Sequence, residues 1–263
     1  MRLSLAIAVA ALVAASPGAA RGREPPGDDA SVYRVDLPLD VAISGAAGLA
    51  ALVPWLLEDR IIRLRCPCDP SEVPRWERFA IGNKSHAADV ASNVTLGVAV
   101  GGPLVLDAAR LGWTRPLLED VTVFAEALLV NAALVTAVKY SVQRPIPLAY
   151  ANDPQYVHEP GSYRAFYSGH TSGVVTALTA AAWTARFRYG ETVWPWLAVA
   201  VGGVSVGLER IAGGNHFPSD VMVGAAAGLA VGTAVPLLHR RSRQAAPLAL
   251  VPAPGGLGIA GRF

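Results

Sequence analysis

The residues with the most chemistry to offer lie in 205–222, SVGLERIAGGNHFPSDVM. Five residues separate Arg210 from His216, and three separate His216 from Asp220. Pro218 suits the first turn of a helix, where its missing N–H costs nothing. His216 then sits at the helix mouth, and Asp220, one turn on, faces it and can hold a ring nitrogen. A helix N-terminus carries partial positive charge and free N–H groups, which suit an anion. The stretch therefore offers a nucleophile or base, a carboxylate to orient it, and a guanidinium for phosphate or carboxylate. Taken alone, a histidine and an aspartate at helix spacing are more often structural than catalytic. Two further clusters alter that balance. Lys139 and Arg144 stand in KYSVQRPIP, and Ser168, Gly169 and His170 in YSGHTSG. Lys139, Arg144 and Arg210 supply cationic donors, while Ser168 and the Gly169 N–H add neutral ones at a second helix start. His170 and His216 can divide the work of acid and nucleophile. No carboxylate cluster of the kind that holds magnesium stands beside them. The inventory points to phosphate-ester chemistry by histidine, without a metal or cofactor.

Composition says what brings residues so far apart in sequence together. Of the 263 residues, 52% are hydrophobic and only 16% charged, and the mean hydropathy is +0.38. An ordinary soluble domain carries about a quarter charged residues. Six apolar segments, 41–57, 90–106, 121–138, 171–185, 193–208 and 221–238, predict an all-α, six-helix transmembrane bundle. None shows a clear polar stripe, which argues against the alternative of a soluble helical core. In an alternating bundle the third segment exits, the fourth enters, the fifth exits at Arg210 and the sixth enters near His216. The three clusters thus meet at one membrane face. Gly224, Gly228 and Gly232 permit close helix contact in lipid. Glu126 and Asn131 fall inside the third segment, where a carboxylate is either a functional group or part of a buried polar contact. The net charge of +2 argues against a nucleic-acid partner and leaves the bilayer and a lipid phosphate as the expected partners. Cys66 and Cys68 cannot complete a four-ligand zinc site. A bridge across one residue would be strained, so they read as incidental or locally structural.

Together the three clusters resemble the signature of the type 2 phosphatidic acid phosphatase (PAP2) superfamily: Lys-x6-Arg-Pro, Pro-Ser-Gly-His and Ser-Arg-x5-His-x3-Asp. The third is matched by Arg210, His216 and Asp220, and the second by Ser168, Gly169 and His170. The resemblance covers roughly residues 120–240. It implies a membrane phosphatase in which His216 attacks phosphorus to form a phosphohistidine, Asp220 orients His216, and His170 protonates the leaving alkoxide. Lys139, Arg144, Ser168, Gly169 and Arg210 would hold the phosphoryl oxygens, with no metal. Three positions depart from the pattern: Tyr167 replaces Pro, Glu209 replaces Ser, and Ile146 falls where the first motif has Arg. The available Arg-Pro is Arg144-Pro145. Arg164 is a possible substitute cation, although a plain loop charge is the simpler reading. Ile146 keeps open the alternative of an impaired lipid-phosphate-binding protein, and a lipid phosphotransferase is a second alternative.

Along the chain, residues 1–20 form a signal-like apolar start, 21–38 an irregular segment, 39–240 the PAP2-like helical membrane domain, and 241–263 a Pro/Gly-rich tail expected to lack regular structure. Loop 58–89 is mixed in charge, and Trp76 and Phe79 suit a short helix at the membrane surface. A translocated start would place the catalytic ends in the cytoplasm. Arg186, Arg188 and the HRRSR run share the opposite side from those ends, and positive loops stay inside. The basic residues outweigh the terminal pattern. The expectation is a multi-pass protein of a bacterial inner membrane with a periplasmic active site.

Overall fold

The computed structural model describes residues 31–241, 249–253 and 256–260, so the signal-like start lies outside the described residues. Six long helices carry the fold: α1 (Leu37–Leu56), α2 (His86–Leu111), α3 (Arg115–Val142), α4 (Gly169–Tyr189), α5 (Trp194–Ala212) and α6 (Pro218–His239). Their starts are written locally. The side chains of Asp36, Ser85 and Ser168 cap α1, α2 and α4 by accepting backbone N–H groups, and proline opens α1, α3, α5 and α6. Gly112 and Gly190 end α2 and α4 at φ of 62° and 85°, a conformation that favours glycine. The apolar segments seen in the sequence are the cores of these helices, and polar flanks lengthen each to between 19 and 28 residues.

Among the described residues, five helical stretches are long and apolar enough to cross a membrane: α1, α2, α3 with the short turn after it, α5 and α6. The expectation of six apolar spans therefore narrows to five. The exception is α4, which has the length and lacks the apolarity. Thr171, Ser172, Thr176, Thr179 and Thr184 are all buried in it. It packs against α2, α3, α5 and α6, so its surroundings are protein rather than lipid. Hydroxyls are tolerated there because most find partners: Thr176 Oγ1 donates to Gly228 O at 3.3 Å and Thr184 Oγ1 to Ala180 O at 3.0 Å. The outward flanks are the reverse, with Leu49, Val105, Val204, Leu208 and Met222 exposed.

The α4–α6 contact is the closest in the bundle. A Cβ added at Gly224 would lie 2.7 Å from Ser168 O, one at Gly228 2.6 Å from Ser172 O, and one at Gly232 2.7 Å from Thr176 O. Gly228→Val must therefore push the two helices apart. The expected cost is about 1–3 kcal/mol, seen as a lower thermal midpoint in detergent. Gly45→Ala, with nothing within 4 Å, is expected not to lower it.

The helix ends sort onto two faces. Ser168 N donates to Asp220 O at 3.0 Å, and Ser85 N to Ala212 O at 3.0 Å. These bonds join the start of α4 to that of α6, and the start of α2 to the end of α5. At the other face Arg34 N donates to His239 O at 2.8 Å, and Arg241 N to Val32 O at 2.9 Å. Tyr33, fully buried, reaches Thr184 Oγ1 at 2.7 Å. Burial pushes the Tyr33 hydroxyl pKa upward. The segment before α1 and the end of α6 thus lie at the face opposite the one that gathers the motifs.

Two expectations are corrected. Cys66 and Cys68 are joined by a disulfide, because loop 58–85 folds back over the bundle and fixes both residues: Cys66 N donates to Tyr163 Oη at 3.2 Å and Cys68 N to Asn152 Oδ1 at 3.2 Å. The tail is not wholly irregular. β1 (Ala249–Ala253) and β2 (Gly256–Ala260) pair antiparallel, since two residues between the strands suffice for a hairpin. Within loop 58–85 a 3-10 helix, Arg75–Ala80, leaves Trp76 and Phe79 exposed.

Candidate active site

Asp220 is the fixed point of the site. It is fully buried and sits in the first turn of α6, where Oδ2 accepts the Phe217 N–H at 2.8 Å. Its Oδ1 accepts from Arg144 Nη1 at 2.6 Å. Arg144 Nη1 also donates to Ser219 Oγ at 2.8 Å, and Nη2 to Glu77 Oε2 at 2.8 Å. Glu77 Oε1 in turn accepts the Ser219 N–H at 2.8 Å. The guanidinium lies 4.2 Å from the centre of the Phe217 ring, a cation–π distance. Arg144 was expected on phosphate. The structure instead places both its terminal nitrogens on the α6 start and on Glu77.

His216, only 4% exposed, stands in the turn between α5 and α6. Its Nδ1 is 3.7 Å from Asp220 Oδ2, beyond hydrogen-bond range. The carboxylate therefore acts on the ring through charge and orientation rather than through a formed bond. Burial pushes the His216 pKa down to about 3; Asp220 opposes the shift, and the charges of Lys139 and Arg210 add to it. The imidazole is thus neutral near pH 7, the state a nucleophile needs. The shift also sets a pH dependence. In the unfolded chain His216 takes up a proton near pH 6.5, and in the fold only near pH 3. Between those values the unfolded state binds more protons, so stability falls as pH falls through the window. A pH series of thermal midpoints is expected to show a shallower acid slope for His216→Gln than for the unaltered chain.

The remaining residues surround this pair. His170 Nε2 lies 2.9 Å from Asn93 Oδ1. The Asn93 amide is turned that way because its Nδ2 donates to Asp89 O at 3.1 Å, so His170 Nε2 carries the proton. Arg210 Nη1 donates to Asp89 Oδ1 at 2.6 Å and to Ser92 Oγ at 3.1 Å. Asn215 Nδ2 holds the same Asp89 oxygen at 3.0 Å. Arg210 Nε is buried with no hydrogen-bond partner among the described residues. Lys139 Nζ donates to Arg164 O. Ser168 Oγ accepts the Thr171 N–H at 3.3 Å and Ser168 O the Ser172 N–H at 3.0 Å, and the Gly169 and His170 N–H groups have no acceptor among the described residues. Gly169 is close to Lys139: an added Cβ would lie 3.7 Å from Lys139 Cε and 3.3 Å from Val135 Cγ1. The helix-end face thus gathers Lys139, Ser168, Gly169, His170, Arg210, His216 and Asp220, with the charges of Lys139 and Arg210 acting on both histidines.

Ile146, at the position of the missing arginine, packs in an apolar cluster with Leu148, Ala149 and Ala165. Arg164 is paired with Glu58 at 2.9 Å and donates to Tyr140 Oη at 3.2 Å. Sequence reasoning did not single out Glu77, Asp89 and Asn93. Glu77 was one charge among twelve in loop 58–89, and only tertiary packing brings it to 1% exposure.

Residues 120–244 match the family model of the PAP2 superfamily. Recognition of the PAP2 superfamily thus rests on residues 120–244, a little under half of the chain. The matched stretch contains every residue of the three motifs, from Lys139 to Asp220. Among solved structures, the crystal structure of Aquifex aeolicus LpxE is similar to the chain at 25% identity, covering 62% of this chain and 93% of that one, with a TM-score of 0.44. No curated protein matches the chain.

Proposed function

We propose that this PAP2 protein is a lipid phosphatase that hydrolyses a phosphate monoester or diphosphate through a phosphohistidine at His216. The observation that carries the reading is the buried, neutral His216 held between Asp220 and the cations Lys139 and Arg210. In this mechanism Nδ1 faces Asp220 and Nε2 attacks phosphorus. The P–O bond to the lipid alcohol breaks as the N–P bond forms, and His170, doubly protonated while the phosphate dianion is bound, gives the departing oxygen its Nδ1 proton and keeps the Nε2 proton on Asn93. Water then attacks phosphorus with His170 as base, and the N–P bond breaks to release inorganic phosphate and neutral His216. Lys139, Arg210, Ser168 and the free N–H groups of Gly169 and His170 receive the phosphoryl oxygens as charge builds. Arg144 acts behind the site, holding Asp220. No metal takes part. The site opens at the helix-end face of a bundle of membrane-crossing helices, with α4 as a sixth, protein-lined span, so a phosphate on a lipid headgroup reaches it without leaving the bilayer surface.

We place that face outward, on the periplasmic side of a bacterial inner membrane. The disulfide supports this, because such bonds persist in oxidising compartments and Cys66–Cys68 lies in the loop covering the site. Arg186 and Arg188, at the opposite end of α4, support it through the positive-inside tendency. Among the described residues no cysteine is free, so Gln155→Cys is a clean reporter. A membrane-impermeant thiol reagent is expected to label it in intact cells; labelling only after entry to the cytoplasm would reverse the assignment. The function itself is tested by phosphate release from a panel of lipid phosphates and diphosphates by purified protein, with and without chelator. Release that survives chelation and disappears in His216→Ala supports the reading. Release from none of the lipids would favour the binding-only alternative, and transfer of the phosphoryl group to an added alcohol in preference to water would favour a phosphotransferase.

A further inference from the structure

At the face opposite the candidate active site, α1, α3 and α6 bring three metal-ligating side chains together. Asp40, Glu126 and His239 each offer one ligand atom, and these atoms lie within 4.8 Å of one another. His239 Nε2 is 3.4 Å from Asp40 Oδ1 and 3.8 Å from Glu126 Oε2. Asp40 and Glu126 are only 4% and 5% exposed. Glu126 Oε2 is buried without a hydrogen-bond partner among the described residues, and it faces into the cluster.

The tautomer of His239 makes the arrangement specific. Its Nδ1 lies 2.9 Å from Val235 O. A carbonyl only accepts, so Nδ1 carries the proton, and the neutral ring presents a lone pair at Nε2. In that tautomer three acceptor atoms face one another, with His239 Nε2 and Asp40 Oδ1 at 3.4 Å. The gaps are too long for charge-assisted bonds from an imidazolium, which run about 2.7–2.9 Å. They fit ligands around a cation: donor atoms about 2.1 Å from a tetrahedral centre stand about 3.4 Å apart. The surroundings are those of a metal site as well. A backbone carbonyl orients the imidazole, and Asp36 N holds Asp40 Oδ2 at 2.9 Å. A surface cleft lined by Arg34, Asp36, Asp40 and His239 gives a path from solution to two of the three ligands.

We propose that Asp40, Glu126 and His239 form a divalent-cation site for zinc, with two carboxylate oxygens and one imidazole nitrogen as protein ligands and a fourth position open to water. Its role is structural. α1 packs mainly on α3, and the cation adds a bond from α1 to α6. The site lies about 35 Å along α6 from His216, at about 1.5 Å of rise per residue, so it is separate from the phosphatase chemistry.

The full chain in detergent is incubated with zinc ions, desalted, and assayed for metal content and thermal unfolding. One zinc per chain and a higher unfolding midpoint are expected, both lost on chelation and in Glu126→Gln and His239→Gln, and both retained in His216→Ala. Because Glu126→Gln preserves shape, it carries the test if His239→Gln fails to fold. An unaltered chain that retains no zinc, or a Glu126→Gln protein that binds it as well, would overturn the proposal. Phosphate release is read in parallel: chelation should lower stability without stopping turnover, which separates this site from the catalytic one.

Discussion

His216→Ala is expected to lower phosphate release from a lipid phosphate by about a thousandfold or more, the scale on which positioned acid–base and nucleophilic groups contribute. No other described histidine can take over its place. His170 is turned toward Asn93, and its proton points there. The cations Lys139 and Arg210 can still bind phosphate in the variant, so substrate affinity should change less than turnover. Asp220→Asn keeps the shape and removes the charge beside His216. It is expected to cost turnover too, and also stability, because Arg144 loses one of its two anions. Steady-state kinetics on purified variants check both. A His216→Ala protein with wild-type turnover would remove the histidine from the chemistry.

Arg144→Ala is expected to be the most destabilising substitution at this face. It leaves Glu77 and Asp220 buried, with side chains 2% and 0% exposed, and without their cation. Breaking a buried ion pair from one side typically costs about 3–5 kcal/mol. Arg144 is itself 17% exposed, which places the expectation near the lower end, about 3 kcal/mol. Glu77→Ala should resemble it, since the Ser219 N–H also loses its acceptor. The two roles open to Arg144 give different signatures. A positioning residue lowers the unfolding midpoint, and its loss harms turnover through Asp220. A phosphate clamp would raise KM with little change in unfolding. Thermal unfolding and kinetics on the same preparation of Arg144→Ala and Arg144→Lys decide between them.

Much of the site was legible because its key relations are local or follow from parity. His216 and Asp220 are one helical turn apart, so their juxtaposition depends only on α6 starting at Pro218. Lys139, His170 and Arg210 meet because alternate helix ends share a face, which counting the apolar segments reveals. The lost arginine was also visible by counting, and Ile146 packs in an apolar cluster. Other features depend on which side chains tertiary packing buries. Glu77 is one of several loop carboxylates until the 58–85 segment folds over α6. Asp89 and Asn93 lie near the start of α2, and their partners, Arg210 and His170, are more than 70 residues away in sequence. Likewise α4 reads as a weak membrane span because hydropathy measures affinity for lipid, whereas α4 is surrounded by other helices. Glu126 stood out as an intramembrane carboxylate, but its neighbours Asp40 and His239 come from the ends of α1 and α6.

The route through His216 has a stereochemical consequence that can be read without trapping an intermediate. Two successive in-line displacements at phosphorus, one by His216 and one by water, restore the original configuration. Hydrolysis of an isotopically chiral lipid phosphorothioate in labelled water is therefore expected to give thiophosphate with net retention. Net inversion would mean that water attacks the substrate directly, and His216 would then not be the nucleophile.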